Sequence, residues 1–183
     1  MILLLIYAVH KVITAYYPHP YVGDTGLYVM GIGVYRAPMG LGTCATAHAI
    51  YATQEHLSNL GVLHHEVSHV LNKDVRINNL FSVMCSVAFY APMVTGDYGL
   101  VLIGLMVSIL GAPALSRHHE RKADKFAATS GYGEDLIEAL KTAPDSQSST
   151  SKYNGLTKSI YGLFVDTHPS NESRINAIRR HMA

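Results

Sequence analysis

From position 77 to position 116 the chain runs for forty residues without a lysine or an arginine, and Asp97 is the only acid among them. A stretch this long and this poor in charge must be withdrawn from water, so it limits the folds open to everything around it. The TGDYG segment divides it into INNLFSVMCSVAFYAPMVT and LVLIGLMVSILGAPALS, each near the minimum of ~17 residues for a spanning helix. The pattern predicts an inserted helical hairpin over residues 77–116, most simply a transmembrane one. Lys73 and Arg76 precede it and Arg117, Arg121 and Lys122 follow it. The bias of basic residues toward the cytoplasm then puts both ends on that side. The other reading is a hydrophobic helix pair buried in a soluble domain, favoured by Asn78, Asn79, Ser82 and Ser86, which face lipid poorly. Composition leans to the membrane, because only 15% of residues are charged against about 25% in ordinary soluble domains. The opening run MILLLIYAV stops at His10 and Lys11. It is too short for a span and is expected to be at most a short anchor. With no basic region ahead of it and no small-residue cleavage site after it, it does not read as a secretory signal.

The 183 residues of the whole chain suffice for a single domain over 1–183 with its own core. A formal charge of +1 gives no reason to expect a nucleic-acid or strongly acidic partner, and no nucleic-acid partner is expected. Cys44 and Cys85 lie far apart in sequence and imply no disulfide framework. Residues 21–42 are rich in glycine and β-formers and predict a small sheet. ATAHAIYAT, residues 45–53, predicts a further strand. A helix is expected from about position 60 to 73, capped by Ser58 or Asn59, with Leu63, Val67, Val70 and Leu71 forming its buried stripe. After the hairpin, KADKFAATSGYGEDLIEALKTA reads as helix, glycine-rich turn and helix. Residues 144–152 read as a polar loop, and HPSNESRINAIRRHM as a capped, basic amphipathic helix.

The chemistry lies on the helix before the hairpin. HEVSH places His65 and His69 four positions apart, one above the other on a helix face, where both imidazoles can reach one metal ion. Zinc suits such nitrogens, and a catalytic zinc takes three protein ligands while keeping a place for water. Glu66 sits about 100° around the helix from His65 and suits a general base beside that water. ERKAD, just past the hairpin, supplies Glu120 as the third ligand and Asp124 one turn on, where it can accept the N–H of a ligand histidine and fix its tautomer. One Zn2+ is therefore the expected cofactor. His64, His118 and His119 read as partly exposed polar groups. Asn72 and Asp74 either support the end of the motif helix or are solvated, and Arg174 either pairs with an acid near the site or lies on the surface.

Taken in order, HEVSHVLNKDV, two apolar segments, SRHHERKADKFAA and THPSNESRINAI resemble the HtpX and CAAX prenyl-protease group of membrane metallopeptidases, which are gluzincins. The resemblance covers roughly residues 45–181. It implies His65, His69 and Glu120 as ligands, Glu66 as base and Asp124 as their support, in agreement with the spacing argument. It further implies that His168 acts near the substrate carbonyl or the oxyanion. The sequence departs from the family where GLGTCATAHA replaces an Asn-Ala-Phe-Ala type segment, and in a much reduced N-terminal membrane portion. The expected fold is α+β and zincin-like, mainly helical, with a small sheet and the inserted hairpin. The expected function is zinc-dependent endopeptidase hydrolysis by a water that Glu66 activates, on membrane-associated or misfolded proteins. A polypeptide substrate would lie extended along an edge strand near residues 45–53, and the site of an integral membrane protein would face the cytoplasm. A non-catalytic zinc-binding membrane module that recruits a partner is the alternative.

Overall fold

The computed structural model describes residues 23–37, 42–143 and 169–183. The opening apolar run, the polar loop at 144–152 and His168 lie outside them. The first two strands, β1 (Asp24–Val29) and β2 (Ile32–Arg36), form an antiparallel hairpin. Met30 and Gly31 turn it, both at positive φ, which matches the right-handed twist of the flanking strands. Residues 45–53 do not form the continuous strand expected. They split into β3 (Cys44–Ala45) and β4 (Ile50–Ala52), folded back antiparallel across a turn in which the Thr46 amide donates to the carbonyl of Ala49. β4 pairs in parallel with β2, so the sheet order is β1-β2-β4-β3. Ile50–Ala52 is thus interior, and the two edges of the sheet are β1 and the short β3.

The motif helix, α1 (Leu60–Leu71), starts at Asn59, whose side chain accepts the Val62 N–H at 2.9 Å. Leu63 and Val67 bury one face against Val29, Ile32, Val34, Ile50 and Ala52 of the sheet. Val62 joins a second cluster with Ala127, Leu136, Ile137 and Ile178. Clamped between sheet and helices, α1 has every residue from Gly61 to Ser68 buried. Its end differs from expectation. Leu71 is 51% exposed and not part of the buried stripe, and Lys73 has left the helix for a left-handed conformation, φ 59°, which reverses the chain.

That reversal starts α2 (Asp74–Thr95), and Gly96 and Asp97 turn the chain into α3 (Tyr98–Ala127). At ~1.5 Å per residue the 22 residues of α2 measure about 33 Å, enough for a hydrocarbon layer of ~30 Å. Both helices are long and apolar enough to cross a membrane. None of the most apolar window of α2, and 11% of that of α3, is buried within the protein, so the hairpin is not the core of the sheet-bearing part. The helices approach closely at Gly104, where an added Cβ would stand 2.7 Å from the Ala88 carbonyl oxygen. Asn78, Asn79, Ser82, Ser86, Ser108 and Ser116, six polar residues of the run, line one groove of about 520 Å³ along the pair. The second apolar segment and the carboxylate motif form one unbroken helix, since α3 continues from the hairpin through Glu120 and Asp124. A π turn (Ala128–Tyr132), with Gly131 at φ 90°, leads into α4 (Gly133–Thr142). The last helix, α5 (Asn171–Met182), is capped by Ser170 and packs on α3 and α4.

Candidate metal centre

Two consecutive turns of α1 present His65 and His69 toward α3, which presents Glu120. The two Nε2 atoms are 3.2 Å apart. His65 Nε2 lies 3.5 Å from Glu120 Oε2, and His69 Nε2 lies 3.5 Å from Oε1. The imidazole planes stand at 82° to one another, so the rings converge edge on instead of stacking.

The outer nitrogens decide what the inner ones can do. His65 Nδ1 lies 2.9 Å from Asp124 Oδ1, and His69 Nδ1 lies 2.9 Å from Asp74 Oδ2. Each Nδ1–H donates to a buried carboxylate, so a neutral ring carries its lone pair on Nε2, directed at the other ring and at Glu120. Three electron-rich atoms at such separations repel unless a cation lies among them. The separations also suit one: bonds of ~2.0–2.1 Å in a tetrahedral zinc site put ligand atoms about 3.3 Å apart. The donor set therefore fits a divalent metal, and His65, His69 and Glu120 are the group among the described residues that can hold one.

The surroundings point the same way. Burial alone would lower the pKa of both imidazoles, yet both are raised, His65 by Asp124 and Glu120, and His69 to about 10 by Asp74, Glu120 and the charge of Glu66. Such a field stabilises positive charge at the centre, whether protons or a metal ion. Glu66 is itself buried. Burial first, and then the negative charge of Glu66, push the Cys44 thiol up to about 11. The sheet edge therefore lies within the electrostatic reach of that carboxylate.

Arg174 reaches in from α5. Its Nε and terminal nitrogen donate to the two oxygens of Asp124 at 2.9 and 2.7 Å, and its other nitrogen lies 3.4 Å from Glu120 Oε2. Burial raises the Asp124 pKa, but the bonds from His65 and Arg174 outweigh it and hold the carboxyl below its ordinary value. The pairing expected for Asp124 is present, and the choice left open for Arg174 falls to the ion pair. Asp74, whose role was equally open, carries the matching bond to His69. Two readings are corrected. His64 is buried, stacked on Tyr132 with its Nδ1 donating to the Leu60 carbonyl. His119 is also buried, 3.6 Å from Asp74. Neither is a partly exposed polar group.

The sequence pattern of peptidase family M48 matches residues 43–182. Among curated proteins the chain is similar to a protease HtpX homolog of Campylobacter curvus, 28% identical over 79% of this chain and 65% of that one. A protease HtpX homolog of Desulforapulum autotrophicum is 31% identical over 72% of this chain and 56% of its own length. Protease HtpX of Erwinia tasmaniensis is 29% identical over 85% and 68%. The chain spans about half to two thirds of the length of the curated relatives it matches. No solved structure matches it. The family pattern runs from β3 through the helices that carry His65, His69 and Glu120 to α5, and the chain belongs to peptidase family M48.

Proposed function

We propose that this chain is a single catalytic unit of the zincin-like, gluzincin type: a zinc-dependent metalloendopeptidase, integral to a membrane, with its active site on the cytoplasmic side. The observation that carries the reading is the convergence of His65 Nε2, His69 Nε2 and the Glu120 carboxylate, with a buried carboxylate behind each imidazole. These three residues would hold the ion. Zinc, when bound, supplies Lewis acidity toward water and a peptide carbonyl. Glu66 takes the proton of the attacking water and returns it to the leaving amine as the peptide bond breaks. Asp124 keeps the proton on the Nδ1 atom of His65 and so keeps its Nε2 free to coordinate. Arg174 braces Asp124 and places a positive charge beside Glu120. His168, which lies outside the described residues, would act near the substrate carbonyl or the oxyanion, as the family resemblance implies.

A polypeptide substrate would add to the sheet at Cys44–Ala45, since an unpaired edge offers main-chain hydrogen bonds to an extended chain. Membrane-associated or misfolded proteins are the substrate class that the HtpX resemblance suggests. Orientation follows from the basic residues at both roots of the hairpin. Glu66→Gln should keep stoichiometric zinc and lose cleavage of casein by about 10²–10⁴-fold, the usual worth of general acid–base catalysis. A zinc-loaded variant as fast as the wild type would remove Glu66 from the mechanism. A zinc-loaded wild type with no chelator-sensitive cleavage would leave a binding module instead.

A further inference from the structure

Asp74 is 2% exposed, a position at which a carboxylate needs strong partners. It is the first residue of α2, where the helix dipole favours an anion. The left-handed turn at Lys73 brings it back onto α1, and its Oδ2 accepts the Nδ1–H of His69 at 2.9 Å. Its Oδ1 faces Nε2 of His119 at 3.6 Å. His119 is the neighbour of Glu120 on α3, the returning helix of the hairpin. A single carboxylate at the root of the outgoing helix thus grips one imidazole of the metal group and lies against the root of the returning helix.

We propose that Asp74 is a positioning residue which, from the root of the apolar hairpin, fixes the His69 ring for metal binding. The inference rests on the metal-centre reading above. It differs from the role of Asp124, which holds His65 from the far side of the site and is itself braced by Arg174. Among the described residues Asp74 is met by His69 and His119 and by no arginine. Its direction is set by the chain reversal and the start of α2.

The test uses the full chain in lipid nanodiscs, with zinc affinity read by chelator competition, the visible bands of the Co2+ form, and the melting temperature of the metal-free protein. Asp74→Asn conserves shape. It should weaken zinc binding by at least about tenfold and shift the Co2+ bands, while Asp74→Ala should fall toward the about 100-fold end of the range for such supporting groups. Asp74→Asn with zinc affinity within about twofold of wild type and unshifted bands would overturn the proposal, whether or not Asp74→Ala folds. Lowered metal-free melting temperatures with unchanged bands would also overturn it, because they would mark a role in the fold alone. If the wild type itself takes up no zinc, the metal-centre reading falls and takes this proposal with it. If the wild type binds zinc and the variants do so equally, only the role of Asp74 falls.

Discussion

At the scale of single residues, four acids surround two imidazoles: Asp74, Asp124 and Glu120 through contacts, Glu66 through its charge. His69 shows the consequence most directly. Its unfolded pKa is near 6.5, and its folded, metal-free value is about 10 because its hydrogen bonds to the Asp74 and Glu120 carboxylates outweigh burial. A raised folded value means that the metal-free native state holds a proton which the unfolded chain has released. The stabilisation from His69 is therefore complete below pH 6.5 and lost as pH rises through about 10. Metal-free protein should melt at progressively lower temperature over that window, and zinc uptake near neutral pH should release protons. Scanning calorimetry against pH, with titration calorimetry in buffers of different ionisation enthalpy, measures both. A melting temperature that rises with pH, or uptake without proton release, would contradict the assignment. Which of these residues were legible in sequence follows from periodicity. His65 with His69, and Glu120 with Asp124, are four apart, and a helix settles their common face. Asp74 is five residues past His69 and faces it only because Lys73 reverses the chain. Arg174 meets Asp124 fifty positions away through the packing of α5 on α3. No local spacing encodes either contact. His64 and His119 were misread because polarity alone says nothing about a stacked ring or a buried carboxylate neighbour.

At the scale of elements, α1 is held at a fixed depth, and Gly61 shows how tightly. A Cβ there would stand 2.2 Å from the Leu136 amide nitrogen, 2.7 Å from the Tyr132 carbonyl oxygen and 2.8 Å from the Asp135 carbonyl carbon. All three are backbone atoms, which cannot rotate aside. Gly61→Ala would gain about 1 kcal/mol of helix propensity but must push α1 off α4, an overpacking that costs about 1–3 kcal/mol or more. The expected outcome is a lower melting temperature together with weaker zinc binding, since His65 and His69 move with the helix. An unchanged or raised melting temperature would show that α1 is free to shift. The Asn59 cap, the two apolar helices, the glycine-rich turn and the last helix were all readable, because each announces itself by a cap, a period or a breaker. The split of residues 45–53 was not. Small and β-branched residues suit one strand or two equally, and the division depends on the Thr46–Ala49 turn and on the parallel pairing of β4 with β2.

At the scale of the whole molecule, the sheet-bearing part and the hairpin present different surfaces. Sixteen of the twenty-one large hydrophobics exposed among the described residues lie between positions 77 and 110, far beyond the scattered apolar contacts of an ordinary soluble surface. The polar residues that favoured a buried helix pair instead line one groove along the hairpin, which removes their objection to lipid on the remaining faces. α3 is continuous from Tyr98 through Glu120, and α2 begins at Asp74 beside His69, so the candidate metal group is attached directly to both roots of the hairpin. If the apolar segments span a bilayer, the centre must sit at one membrane surface and Asp97 at the other, some 30 Å away. Carbonate washing should then leave the protein in the membrane. In a chain with Cys44 and Cys85 replaced by serine, a membrane-impermeant maleimide added to intact cells should label Asp97→Cys. Lys122→Cys, on the same side as the centre, should react only after the membrane is opened. Release by carbonate, or equal labelling of both positions in intact cells, would mean that the hairpin does not cross and that its exposed face is covered by protein.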